Sequence, residues 1–238
     1  MVDHKPIDFC QVAMSRQNFP KTDAFFNRLQ NKDNVALFCH LKRPSKERNN
    51  KETTKSESII IANAHLHWDP QFRDIKLLQT AMMMEELEAF GASHNLPMTT
   101  TPTLICGDFN SLPDSGVYEF LANGRIPPDH VDFMGHTYGS YTTEGCKHNL
   151  THLRNTHSKV DLGFTNWTPG FRGVIDYIWG NGLRIEGVLG GMDPDYANAC
   201  IGFPNSNVPS DHIPIMIQCR LSDESVVDKA GGGGGSAW

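Results

Sequence analysis

TLICGDFN, residues 103–110, passes from a short apolar run through a glycine into a polar cluster. Thr103–Cys106 reads as a buried strand that ends at Gly107. Asp108 and Asn110 follow, two residues apart, so an extended backbone would aim both side chains to one side. The first offers an anionic oxygen, as a ligand or a base, and the second a neutral amide. Such a pair suits a phosphate held together with a hard cation. An Asx turn capping the next helix explains the same tetrapeptide, and the tetrapeptide alone does not choose between them.

The flanking sequence sets this strand in a layered α/β domain. Ser58–Ala64 (SIIIANA) is a β-branched run and predicts a buried strand, and Asp33–Leu41 a shorter one. Asp74–Phe90 carries Ile75, Leu78, Met82, Leu87 and Phe90 at helical spacing, with its methionines as packing rather than ligands. Gly116–Asn123 predicts a short helix, and Val174–Trp179 (VIDYIW) and Ile213–Cys219 (IPIMIQC) two more strands. Pro127–Asn166, rich in His, Gly, Thr and Asn, reads as irregular and partly exposed. Lys42–Glu57 is polar with alternating charges and reads as a solvated loop. Beyond Leu221 the pattern stops, and Ser222–Trp238, with its five glycines, reads as a disordered tail. The expected organisation is one domain over 1–221 and a tail over 222–238.

Other polar clusters mark strand edges. In SDHIP, Asp211 and His212 are adjacent just before a strand. A histidine that contacts a phosphoryl oxygen needs its second nitrogen fixed, usually by a carboxylate. Asp176, set in an apolar strand, is the candidate partner, because burial there is costly without one. His65 and His67 alternate in AHLHWDP, so one faces the site and the other turns away. Trp68 reads as a core residue and Pro70 as a turn residue.

The series HLHWDPQFRDIKLLQT, GDFNSLPDSGVYEFL, FTNWTPGFRGVIDYIW and LGGMDPDYANACIGFPNSNVPSDHIP resembles the endonuclease/exonuclease/phosphatase family, and within it the carbon catabolite repressor type deadenylases. The resemblance runs from about Phe9 to Leu221. It implies a four-layered α/β sandwich, N-terminally truncated, and a magnesium-dependent enzyme, with manganese as the alternative ion. It implies 3′-to-5′ removal of poly(A) tails with release of 5′-AMP. By the same resemblance Asp108 activates water, Asn110 holds the scissile phosphate, and His212 contacts phosphate. Asp176 orients His212, and His65 sits at a phosphate-contacting position. Pro70 and Phe171 sandwich an adenine, and Asn166 touches that adenine or its backbone. Asp108, Asn110, Asp211 and His212 make up the implied metal-binding residues. The expected partners are poly(A) RNA and a multi-subunit deadenylase complex, in the cytoplasm and also the nucleus.

The family's early Asn and its Leu-Gln-Glu glutamate have no counterpart here, and Glu88 falls on a helix. The expectation is a chain of low or no activity by itself. The alternatives are a catalytically dead binding module and a sibling phosphatase or phosphodiesterase. Composition narrows the field. A net charge of -6 argues against a broad basic nucleic-acid face. No apolar run approaches the ~20 residues of a membrane span. MVDHKPIDFC lacks a secretory pattern, so no secretory signal is expected. The six cysteines are scattered without a C-x-x-C pair, which argues against a zinc cluster and for free thiols.

Overall fold

A computed structural model describes residues 1–17, 19–43, 58–150 and 152–221; the expected Gly-rich tail and nearly all of the charged loop lie outside them. The strands are β1 (Asp3–Asp8), β2 (Val35–Lys42), β3 (Ser58–His65), β4 (Thr103–Asp108), β5 (Arg125–Ile126) and β6 (Cys146–Lys147). Then come β7 (Arg154–Asn155), β8 (Asn166–Thr168), β9 (Phe171–Gly173), β10 (Asp176–Asn181), β11 (Leu183–Val188) and β12 (Ile217–Leu221). The helices are α1 (Phe9–Ser15), α2 (Asp23–Leu29), α3 (Arg73–Ser93), α4 (Gly116–Asn123) and α5 (Pro194–Asn198).

A six-stranded mixed sheet of order β1-β2-β3-β4-β10-β7 forms the centre. Only β3 and β4 run parallel, with α3 as their crossover. The strands alternate cleanly. Ala36 and Phe38, Ile60 and Ala62, Ile105, and Tyr177 and Trp179 are all buried, with α3 packed against this side of the sheet. The opposite face carries Leu37, Ile61, Leu104 and Ile178 and is only half covered: Leu37 is 43% exposed. β11 and β12 pair as a separate two-stranded sheet.

The long helix α3 is anchored by charge as well as by packing. Asp74, fully buried in its first turn, accepts from Arg28 Nε and Nη2 at 2.7 Å and from the Tyr138 hydroxyl. Met82, Met83 and Met84 are fully buried, as expected of packing residues. In α4 the Ser115 hydroxyl caps the first turn, and Gly124 closes the last at φ 75°.

Several expectations shift. β10 begins at Asp176 rather than Val174, because the Ile175 and Asp176 N–H groups both donate to Thr165 Oγ1. β12 begins at Ile217 rather than Ile213. Upstream of it His212 bridges to Asn166, Ile213 N–H donates to the Thr165 carbonyl, and Pro214 has no N–H to give. The segment 127–166 is irregular but not peripheral: Phe133, Tyr138, Tyr141 and Leu153 are core residues. Trp68 is the reverse case. It is 70% exposed rather than buried.

The core also holds imidazoles, which sets a pH limit. Burial pushes His67, His148 and His157 below the ordinary imidazole range, and His67 Nε2 has no hydrogen-bond partner. A depressed folded pKa means that the unfolded chain takes up these protons first, so stability is lost as pH falls through the unfolded value of about 6.5. His212 is shifted the other way, and its contribution fades only above that window. The urea midpoint is therefore expected to fall as pH is lowered from about 6.5 to pH 5. A midpoint unchanged over that range would mean that these imidazoles are not held neutral.

Candidate active site

Sheet register builds the site. β3 and β4 are parallel with His65 opposite Asp108, and β10 is antiparallel to β4 with Asp176 opposite Asp108. Three neighbouring strands thus end their half-covered face in one row of His65, Asp108 and Asp176. These residues share alternation parity with Ile61, Leu104 and Ile178, so they point away from the helix-packed core. His212 is brought over by the bridge to Asn166.

Asp176 Oδ2 accepts from His212 Nδ1 at 2.8 Å, which leaves Nε2 toward the cleft, 3.8 Å from Asp108 Oδ2. His65 Nε2 lies 3.4 Å from the same oxygen. Burial pushes the Asp108 carboxyl above its ordinary value and repulsion from Asp176 adds to this; the Asn110 N–H and the two imidazoles only partly offset it. Burial alone would lower the His212 pKa, but its hydrogen bond to Asp176 and the nearby carboxylates raise it.

The turn after Asp108 meets both readings of GDFN. Asp108 Oδ1 accepts the Asn110 N–H at 2.8 Å, an Asx turn, and Asn110 sits at φ 47°. The backbone there is not extended, so Asn110 reaches the cleft through a left-handed turn rather than by strand alternation. Its side-chain amide donates to the Leu66 carbonyl at 2.9 Å. Its own carbonyl accepts from Lys76 Nζ at 2.7 Å. Lys76 is 5% exposed, and burial, the largest influence on it, lowers its pKa.

A cleft of about 810 Å³ lies over this row. Every expected site residue lines it except Asp176, which stands behind His212. Pro70 and Phe171 are on its wall, and Phe171 is 38% exposed. Asn166 is buried, and its amide donates to Asp211 Oδ2 at 3.1 Å. Of the two histidines of HLH, His65 lines the cleft while His67 is buried.

Sequence reasoning missed Lys76, Arg73, Asp132 and the exposure of Trp68. Lys76 and Arg73 stand three residues apart on α3, one turn of the helix, which is the only signal that could have paired them. Asp132, nearly fully buried, accepts from Arg73 Nη1 at 2.9 Å and from the Gly116 N–H at 2.7 Å.

The residues fit a divalent cation. Asp108, Asp176 and His212 each present a ligand atom within 4.8 Å of the others. The oxygen-rich pair suits a hard ion, and a buried carboxylate with a raised pKa beside another is relieved by one. Asn110 and Asp211, expected among the ligands, line the same cleft, and Asp176, expected to orient His212, also presents a ligand atom in this cluster.

The profile of the Endonuclease/Exonuclease/phosphatase family matches residues 63–212. The chain is 43% identical to the CCR4-Not complex 3′-5′-exoribonuclease subunit Ccr4 of Mycosarcoma maydis, over 93% of this chain and 35% of that one. It is 39% identical to the subunit of the same name from Saccharomyces cerevisiae, over 91% of this chain and 25% of that one. The chain thus spans about a third or less of the length of these relatives. Among solved structures it resembles ANGEL2, a 2′,3′-cyclic phosphatase, in complex with adenosine-2′,3′-vanadate. There the TM-score is 0.67 at 24% identity, covering 92% of this chain and 67% of that one. The human Nocturnin catalytic domain with bound sulfate gives 0.56 at 18%, covering 93% and 59%. Both likenesses concern the fold.

Proposed function

The chain belongs to the Endonuclease/Exonuclease/phosphatase family, and from that premise we propose that it is a 3′-to-5′ exoribonuclease that shortens poly(A) and releases 5′-AMP. The observation that carries the reading is the pairing of an Asp176-anchored His212 with a half-buried Asp108 across one cleft. Asp108, with its raised proton affinity, accepts the proton of the attacking water. His212, held by Asp176 with Nε2 free, donates to a phosphoryl oxygen as charge develops. His65 stands on the other side of Asp108 for a second phosphoryl contact. Pro70 and Phe171 enclose the terminal adenine, and Asn166 stiffens that wall through Asp211.

The Asp108 and Asp176 carboxylates would hold the divalent cation, magnesium with manganese as the alternative, which when bound would neutralise phosphate charge and make water more acidic, leaving His212 Nε2 for the phosphate. Among the described residues no glutamate lines the cleft, so the ion rests on few charged ligands and cleavage by this chain is slow. Residues 1–221 are, in this reading, part of the nuclease domain, working within a multi-subunit deadenylase complex. All six thiols are free, in keeping with a cytoplasmic protein that also enters the nucleus.

The test is cleavage of 5′-labelled RNA ending in a short A-tract, with magnesium, beside RNA of non-A end. A ladder confined to the A-tract and lost in EDTA is expected. Equal trimming of both ends would replace poly(A) with a wider substrate. Binding of the A-tract without cleavage would favour a dead binding module.

A further inference from the structure

A cut between the last two nucleotides of a strand has a base on each side of it. The reading above seats only the terminal one. We infer that Trp68 is the stacking platform for the base one step 5′ of the terminal nucleotide, an inference that rests on the exoribonuclease reading.

Trp68 and Phe171 are the two aromatic side chains, imidazoles apart, that line the cleft. Trp68 stands 70% exposed there, and its one ring neighbour among the described residues is His67, at 6.2 Å between centroids. An indole that served packing would bury most of its area and pair its N–H. A scattered exposed apolar residue needs no explanation, but this one is held in place by its neighbours. On one side the His67 N–H donates to Gln79 Oε1 at 2.9 Å. On the other Asp69 Oδ1 accepts the Gln71 N–H at 2.8 Å across Pro70. With the backbone fixed on both sides, little ordering remains to be done when a base arrives.

Charge and room agree. Arg73, half exposed and paired with Asp132, gives this wall a cation in a chain of net charge -6, while Lys76 is buried against the Asn110 carbonyl. Cations beside open aromatic faces are the usual surface for a single strand. A volume of about 810 Å³ lies near the upper end of the roughly 300–1,000 Å³ that holds one small ligand.

The test is anisotropy of a short 5′-fluorescein oligo(A), intact or with an abasic penultimate residue, on the full chain carrying Asp108→Asn to prevent cleavage. Trp68→Ala is expected to weaken binding of the intact strand by about 5- to 100-fold, and Trp68→Phe to restore most of it. The abasic strand should bind the Trp68 protein about as weakly, and lose nothing further on Trp68→Ala. Losses that add, or intact-strand binding unchanged by Trp68→Ala, would overturn the inference and leave the exoribonuclease reading in place. A Trp68→Ala protein with a lowered melting temperature and an undiminished response to the abasic site would return Trp68 to a packing role. If the parent protein holds oligo(A) no better than a non-A strand, the poly(A) reading itself fails and the inference goes with it.

Discussion

Asp108→Asn is expected to stop cleavage and, in the same protein, to raise the melting temperature measured in EDTA. The two effects have one cause. Asp108 is half-buried beside Asp176, and desolvation with repulsion raises its pKa above 3.8. A carboxyl with a raised folded pKa costs the native state stability wherever it is ionised there, and the cost disappears once pH falls low enough for both states to be protonated. Asparagine keeps the shape and still accepts the Asn110 N–H, so the turn survives while the charge does not. A gain of roughly 0.5–2 kcal/mol is in the range seen when a functional strain is removed, and each kcal/mol is about 2–4 °C for a chain of this size. The gap between the two proteins should narrow as pH is lowered toward 4 and close below the unfolded value of 3.8, and should narrow when a divalent cation is added, since the cation relieves the same repulsion. Loss of the proton acceptor should cost about 10²–10⁴-fold in rate. Cleavage near the parent rate, or a variant less stable than the parent in EDTA at pH 7.5, would remove Asp108 from the role assigned to it.

What the sequence disclosed divides along physical lines. Strands and helices that bury a periodic face were legible: β3, β4, α3 and α4 lie where the apolar spacing puts them. β1 was not, because it is an edge strand with Pro6 inside it and only Ile7 fully buried. Nor were Phe133, Tyr138 and Tyr141, each buried singly from irregular backbone, where no period exists to find. The convergence of Asp108, His212 and Asp176 was legible from side-chain type at strand edges, and the pairing of the last two is a tertiary contact that the cost of a carboxylate in an apolar strand anticipated. Lys76 and Trp68 were misjudged or missed because their roles depend on burial, and the helix pattern that hides Lys76 is the same pattern that made α3 readable. The two-residue spacing of Asp108 and Asn110 suggested the right neighbours for the wrong reason, since a left-handed turn and not an extended strand brings them together.

Gly107→Ala is expected to be the most damaging single methyl that this site can receive. Gly107 precedes Asp108 in β4 and pairs in parallel register with Ala64, one step before His65 meets Asp108. A Cβ added there would lie 1.9 Å from the Ala64 carbonyl oxygen and 2.9 Å from its carbon, with the backbone at φ 142°. The obstacle is main chain in the centre of a sheet, so no rotamer change relieves it; β3 and β4 must part. Strain at a special backbone position together with a broken central pairing predicts a loss of about 3–5 kcal/mol. Gly163→Ala is the control. Gly163 also has positive φ, at 67°, but nothing lies within 4 Å of the added carbon, so it should cost only the roughly 1–2 kcal/mol of the left-handed conformation. Urea unfolding of both variants separates the two contributions, and equal losses would mean that close approach of the strands is not what Gly107 provides. Because the next pair in the register is His65 with Asp108, any splay that rescues the fold also shifts these two groups against each other. Misplacement of about 1 Å can cost roughly 10²-fold in rate, so the Gly107→Ala molecules that remain folded should cleave poorly, while Gly163→Ala molecules should cleave like the parent. The glycine of GDFN thus serves the site through packing: it is the residue that lets two parallel strands approach closely enough for His65 and Asp108 to stand side by side at the cleft.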